Sequence, residues 1–223
     1  CKSFGIKTPA YVQVRKEEDI EKVLDKLKFP LFVKHYSSYA SVDLSRHSKV
    51  KTEAGLRRQL NKIISKHGAA LVEEFIEGDE CTVLVAENPK DLANPITFTP
   101  VQYEFPGGDS FKHEGLKWEE DQFSGLKTAP VKDPILAARL RKESAQLFTG
   151  LNGVGFGRCD IRVADDGTPY MLEINANCGV FYPAHAAGSA DFILANDPAG
   201  HVGFTKLLIE AAFSRHRKRK RSL

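Results

Sequence analysis

Two short segments joined by a turn constrain this chain more than any other feature. Gly157-Arg158-Cys159-Asp160 and Met171-Leu172-Glu173-Ile174-Asn175 read as adjacent strands connected through Asp165-Asp166-Gly167. Strand alternation puts Glu173 and Asn175 on one face, so an arginine, two carboxylates and a carboxamide oxygen gather across one hairpin. Hard cations such as Mg²⁺ take oxygen ligands and commonly share them with phosphate. Asp160, Glu173 and Asn175 therefore point to a site for a metal-bound nucleotide. For any single acid, the plainer reading is a surface hairpin facing water. Against it for the whole set, Glu173 and Asn175 interrupt an apolar run from Tyr170 to Ile174, where an unpaired carboxylate is costly.

The chain has 223 residues, 42% of them hydrophobic, with ordinary glycine and proline usage. This suits a globular body of one large or two small domains and excludes a disordered chain. The net charge of +3 is local. Arg215, Arg217, Lys218, Arg219, Lys220 and Arg221 lie in the last nine residues, and without those six, 26 bases face 29 acids, a balance of −3. Such a run serves as a solvated tail or a targeting signal. With no interleaved aromatics, nucleic acid is not an expected partner except through this tail. Cys1, Cys81, Cys159 and Cys178 show no CxxC spacing, which fits a reducing cytoplasmic compartment without structural zinc; the basic run leaves a nuclear location open. No stretch approaches the roughly 18 apolar residues of a membrane span, and no signal peptide is evident, so a soluble protein with no membrane association is expected. The chain opens on Cys1 rather than methionine, and we expect it to be a piece of a longer polypeptide.

Strands are expected at Tyr11 to Val14, Leu31 to Lys34, near Ser48 to Lys51, Ala70 to Ile76, Cys81 to Ala86 and near Ile96 to Tyr103. Helices are expected from Glu17 to Leu27, after the N-cap Thr52 with Leu56, Leu60, Ile63 and Ile64 on one face and Gly68 closing it, from the cap Asp133 through Leu147 with Ile135, Leu136 and Leu140, and from Phe204 to about Phe213. The stretch from Cys178 to Gly203 reads as irregular, and Pro106 to Pro130 as a long loop of the kind that forms functional lids. The expected division is residues 1–72, residues 73–213 and a basic, disordered tail at 214–223. No GxGxxG or GxxxxGK[ST] is present, so a nucleotide site must be built differently.

Phe29-Pro30-Leu31-Phe32-Val33-Lys34, Val72-Glu73-Glu74-Phe75-Ile76-Glu77-Gly78-Asp79-Glu80 and the hairpin segments occur in the order and spacing of the ATP-grasp fold. From Gly5 to about Ala212 the chain resembles the central and C-terminal parts of D-alanine-D-alanine ligase-type enzymes. The resemblance implies an α+β fold with two α+β subdomains enclosing a nucleotide cleft. It implies ATP and two Mg²⁺ ions as cofactors, Mn²⁺ being an acceptable substitute, held by Asp160, Glu173 and Asn175. Lys34 would contact phosphate. Glu73, with Glu74, Phe75 and Ile76, would form the adenine strand, and Glu80 would hold the ribose hydroxyls. Leu172 completes the nucleotide set. Lys117, beside Trp118, resembles the lysine of the mobile loop over the phosphates. Arg158, Lys117 and Ser41 are the expected catalytic residues, Arg158 stabilising the oxyanion of a tetrahedral intermediate. Glu74 and Glu77 also read as solvated acids, and His113 carries no assignment.

The implied partners are ATP and small amino-acid or peptide-like substrates, with a substrate-binding domain upstream and a homodimer compatible with the family. Several residues depart from its pattern. The Gly-Ser-Ser-Val-Gly type loop is replaced by Tyr39-Ala40-Ser41-Val42-Asp43, where only Ser41 and Val42 match and an acid near phosphate is unhelpful unless it turns away. Ala176-Asn177-Cys178-Gly179 stands for Thr-Ser-Pro-Gly, and Ala184, beside His185, stands where a serine grips the acceptor carboxylate. An acceptor other than D-alanine is expected. Gly188-Ser189-Ala190-Asp191-Phe192 reads as a packed loop or a specificity insert. The competing readings are a non-catalytic nucleotide-binding module with a regulatory or assembly role and a nucleic-acid binder driven by the tail.

Overall fold

Val12 and Val14 are buried while Tyr11 and Gln13 face water. This period of two makes β1 (Tyr11–Val14) the edge of a four-stranded antiparallel sheet in a computed structural model that describes residues 1–37, 43–105, 110–113 and 126–221. Contacts divide the chain into two units, Pro9–Glu77 with Phe105–Leu126, and Cys1–Thr8 with Gly78–Glu104 and Lys127–Leu223. Among the described residues, no helix is long and apolar enough to cross a membrane.

In the first unit, β1 is followed by α1 (Ile20–Lys26), β2 (Leu31–His35), β3 (Lys49–Val50), α2 (Glu53–His67) and β4 (Ala70–Glu74), and the sheet order is β1-β4-β2-β3. A 3-10 turn at Glu17–Asp19 precedes α1, so the expected helix there is shorter by one turn. Thr52 caps α2 by accepting from the Gly55 amide at 3.2 Å. Gly68, at φ 77°, ends it in the left-handed conformation that glycine adopts without strain. Leu56, Leu60 and Ile63 then pack on Val14, Leu31, Val33 and Val72.

In the second unit, β5 (Asp79–Ala86) is buried on both faces and lies inside an antiparallel sheet ordered β10-β9-β5-β7-β8. The other strands are β6 (Ile96–Thr97), also beside β5, β7 (Val101–Glu104), β8 (Lys127–Pro130), β9 (Phe156–Val163) and β10 (Pro169–Ala176). Cys81, Val83, Val85, Cys159, Ile161 and Met171 pack against Leu140, Leu147 and Phe148 of α3 (Pro134–Gly150). On the opposite face, Leu84 and Ala86 meet Phe98, Ile193 and Leu194 of α4 (Ser189–Ala195), and Phe204 of α5 (Gly200–Arg221). Asp133 caps α3 by accepting from the Ile135 amide at 2.8 Å, but the Ile135 side chain is 79% exposed; the inward face starts at Leu136 instead.

Three expectations are corrected. Residues 1–8 pack with the second unit, where the Met171 amide donates to the Lys7 carbonyl at 2.8 Å and Gln146 donates to the Phe4 carbonyl at 2.6 Å; β4 runs past residue 72 to Glu74. Cys178 to Gly203 is not irregular throughout, since it holds a 3-10 turn at Ala184–Ala186 and α4. The basic run is not a disordered tail: α5 continues through it to Arg221. The physical reason lies at Ser214 and Arg215. The Ser214 hydroxyl donates to the Pro89 carbonyl at 2.9 Å, and Arg215 pairs with the buried Glu87 carboxylate, which also accepts from the Gly155 amide. Arg215→Ala leaves that buried acid without its cation. We expect a loss of about 3 kcal/mol in urea unfolding, against about 0.5 kcal/mol or less for the exposed Arg217→Ala.

Candidate functional site

The hairpin of β9 and β10 carries a bulge. Met171 pairs with Ile161, but Glu173 pairs with Asp160, so Leu172 is one residue too many. A one-residue insertion re-aims every side chain beyond it. Met171 therefore joins the core on α3, whereas Glu173 and Asn175 stand opposite Asp160 and Arg158 on the other face. Gly157 lets the strands close up, because a Cβ there would press on Ile174 at 3.2 Å.

Asp160 organises the cluster. Its carboxylate accepts from Arg158 through Nε at 2.9 Å and Nη2 at 2.6 Å, a two-pronged ion pair, and from Asn175 Nδ2 at 3.0 Å. The Thr82 hydroxyl lies 2.8 Å from Asp160 Oδ1 and 2.9 Å from the Cys159 carbonyl, with one proton to give. Asn175 Nδ2 also donates to Glu173 Oε1 at 2.9 Å. Burial alone would lower the Arg158 pKa, but the charge and hydrogen bonds of Asp160 raise it, so the guanidinium is firmly cationic. Burial pushes the thiols of Cys81 and Cys159 up to about 12 and that of Cys178 to about 11, which leaves them inert as nucleophiles at neutral pH.

The donor set fits a hard cation. Two carboxylates converge on one carboxamide, all their donor atoms for a metal are oxygen, and Glu173 is exposed enough to be reached. Among the described residues, no group of three His, Cys, Asp or Glu side chains gathers to offer a rival site. The exposure of Glu173 also corrects the premise that it would be a costly buried acid.

In the first unit, Lys34 and Glu73 form an ion pair at 2.8 Å with both side chains largely buried. The amides of Glu74 and Phe75 donate to the carbonyls of Ala10 and Pro30, so those two N–H groups are engaged within the unit. Phe75 packs with Phe32 and Phe111, and Ile76 is half-buried next in the chain. Lys49, which the sequence reading did not single out, lies 4.0 Å from the Phe75 ring centroid and 2.6 Å from Glu77. Glu77 is exposed, as expected of a solvated acid, and pairs with Lys49. Asp43, at φ 60°, accepts from Lys66 at 2.7 Å and lies 2.7 Å from His67 Nε2. The acid at this position has turned to the end of α2.

Glu80, in the second unit, is buried opposite Arg162. Leu172 is the half-buried bulge residue. Ser41, Val42, Tyr39, Lys117 and Trp118 lie outside the described residues. Thr82, Arg162, Lys49 and Lys66 escaped the sequence reading because each earns its place through a cross-strand or helix-end neighbour; only Thr82, on the same face of β5 as Glu80, carried a period-two signal.

The family model described as "D-ala D-ala ligase C-terminus" matches residues 1–184. The chain belongs to this family. A D-alanine-D-alanine ligase of Ralstonia pickettii is 30% identical over 203 residues, 86% of this chain and 58% of that protein. Among solved structures, the VanG D-Ala:D-Ser ligase of Enterococcus faecalis aligns with a TM-score of 0.73 at 18% identity, over 94% of this chain and 58% of its own. The D-alanine-D-alanine ligase of Bacillus anthracis complexed with ATP aligns with a TM-score of 0.69 at 22% identity, over 98% and 65%. The fold is the α+β ATP-grasp fold of these neighbours. The chain spans about half the length of the curated relatives it matches.

Within the D-Ala D-Ala ligase C-terminal family, the local change with the clearest physical account here is Asp43. The Lys66 hydrogen bond, reinforced by His67, holds its carboxyl below the ordinary carboxylate range. A depressed folded pKa gives stability that is complete above the unfolded value of about 3.9 and fades as pH falls through the folded value. Asp43→Asn is accordingly expected to destabilise the protein at pH 7, and its deficit against the parent should shrink in urea titrations carried below the carboxylate range.

Proposed function

We propose that this protein is an ATP-dependent carboxylate-amine ligase that forms an amide or peptide bond through an acyl phosphate. The observation that carries the reading is the single sheet face on which Arg158, Asp160, Glu173 and Asn175 meet. Family membership supports it. In this reading a substrate carboxylate oxygen attacks the γ-phosphorus of ATP and ADP leaves. An amine then attacks the acyl carbon, phosphate departs and the amine proton is lost to solvent or a base. Asp160, Glu173 and Asn175 would hold two Mg²⁺ ions, with Mn²⁺ an acceptable substitute. Bound there, the metal would supply positive charge to offset that of the phosphates during transfer.

The chain's own residues bind and orient. Lys34 offers a point charge to phosphate, with Glu73 as its counter-ion before nucleotide arrives. Glu73 accepts from the exocyclic amine of adenine beside Glu74, Phe75 and Ile76, Glu80 holds the ribose, and Leu172 lines the nucleotide. Lys117 and Ser41 contact the phosphates. Arg158, kept cationic and oriented by the two-pronged grip of Asp160, serves the acyl phosphate and the oxyanion that follows. Ala184 in place of a gripping serine argues for an acceptor other than D-alanine. A cytoplasmic location suits the four free thiols.

The test is phosphate release by the full-length protein across a panel of amino acids. Substrate-stimulated release is expected from the parent and a loss on the order of a hundredfold from Glu173→Ala; undiminished turnover in that variant would sink the metal assignment. A regulatory or assembly module would instead bind ATP and release nothing on adding substrate. Residues 1–223 alone are expected to bind ATP weakly, as calorimetry can measure, and to turn over slowly or not at all.

A further inference from the structure

We propose that Arg162 is a positioning residue that fixes Glu80 in the rotamer needed for the ribose hydroxyls of the nucleotide, an inference that rests on the ribose reading of Glu80. The β5–β9 register sets the two residues directly opposite each other. Both are buried, Arg162 at 3% exposure and Glu80 at 5%. Arg162 Nη1 lies 3.7 Å from Glu80 Oε2, and Arg162 Nη2 donates to the Gly78 carbonyl at 2.8 Å. One guanidinium thus grips a carboxylate with one nitrogen and the backbone with another, a division that a planar fork allows and a lysine ammonium does not reproduce.

The backbone end of this grip is built in. Gly78 sits at φ 117°, and a Cβ there would collide with the Val163 carbonyl, so the turn entering β5 presses on the residue next to Arg162. A pair of buried charges is a poor route to stability alone, since well-packed apolar residues serve as well or better. Holding a carboxylate at one place, ready for hydroxyl donors, is a task apolar residues cannot do. Along β9, Arg158, Asp160 and Arg162 alternate onto one face, so the strand carries one cation for the Asp160 cluster and another for Glu80.

The experiment compares affinities for ATP and 2′-deoxy-ATP, each with Mg²⁺, by calorimetry on the parent, Glu80→Gln, Arg162→Lys and the charge-neutral double variant Glu80→Gln with Arg162→Met. If Glu80 reads the ribose, Glu80→Gln lowers the preference for ATP by roughly tenfold. An unchanged preference in that variant overturns the ribose reading itself. Given that loss, Arg162→Lys is expected to lower the preference comparably while the affinity for 2′-deoxy-ATP changes less than about twofold. Equal weakening of both nucleotides, or of neither, overturns the Arg162 proposal and leaves the Glu80 reading standing. The double variant keeps the question answerable should Arg162→Lys fold poorly. It is expected to match Glu80→Gln, because Arg162 acts through Glu80, and a further fall in preference would show that Arg162 acts on its own and overturn the proposal.

Discussion

One extra residue in β10 determines what the second unit can do. Without the bulge at Leu172, a regular ladder from Met171 onward would send Glu173 to the α3 face, among Cys159, Ile161 and Leu140, where a carboxylate has no partner. With it, the first half of the strand supplies core and the second half supplies oxygen donors. The bulge separates the demands of folding from those of chemistry within eight residues. The contacts of Asn175 with Asp160 and Glu173 follow from that change of side.

The sheet face opposite α3 is itself divided. Toward one end, Leu84 and Ala86 are covered by α4 and α5; toward the other, Glu80, Thr82, Asp160 and Arg162 are buried polar residues. Burying four polar side chains on neighbouring strands is tolerable only when they satisfy one another. Thr82 bridges to Asp160, Arg158 and Asn175 complete the carboxylate, and Arg162 answers Glu80. A simple stability argument would have filled this surface with valine. Its polar character is what the proposed site would require.

Much of this was legible in the residues. The Asp165-Asp166-Gly167 turn, the cap Thr52, the closing Gly68 and the buried faces of α2 and β1 rest on local rules, and the structure follows them. The convergence of Asp160, Glu173 and Asn175 was legible too, because a hairpin needs no long-range information. What stayed hidden depends on distant partners. Nothing around Arg215 announces that Glu87 waits for it, so a run of like charges read as disorder when it is a helix. Nothing around Asp43 announces Lys66 and His67, and the bulge is invisible until Met171 meets Ile161. Ile135 failed for a narrower reason: it has the right composition for a core residue and the wrong position on the first turn of α3.

The loop that follows Asn175 extends the same logic to the acceptor side of the proposed reaction. Asp191, buried at the start of α4, accepts from the amides of Phe181 at 2.8 Å and Gly188 at 3.0 Å and lies 2.8 Å from His201 Nε2. It thereby holds Phe181 at φ 69°, a conformation a bulky residue does not take unaided. Tyr182 lies against Gly179 and Gly188, where a side chain on either glycine would meet its ring. The residues standing where the family pattern has Thr-Ser-Pro-Gly and a serine thus belong to a braced structure, anchored at one end by the strand that carries Glu173 and Asn175 and at the other by α4. On the proposed reading, an altered acceptor preference would come from this rigid segment as a whole. Restoring a serine at Ala184 by itself would leave the Asp191 brace, and the shape it imposes, in place.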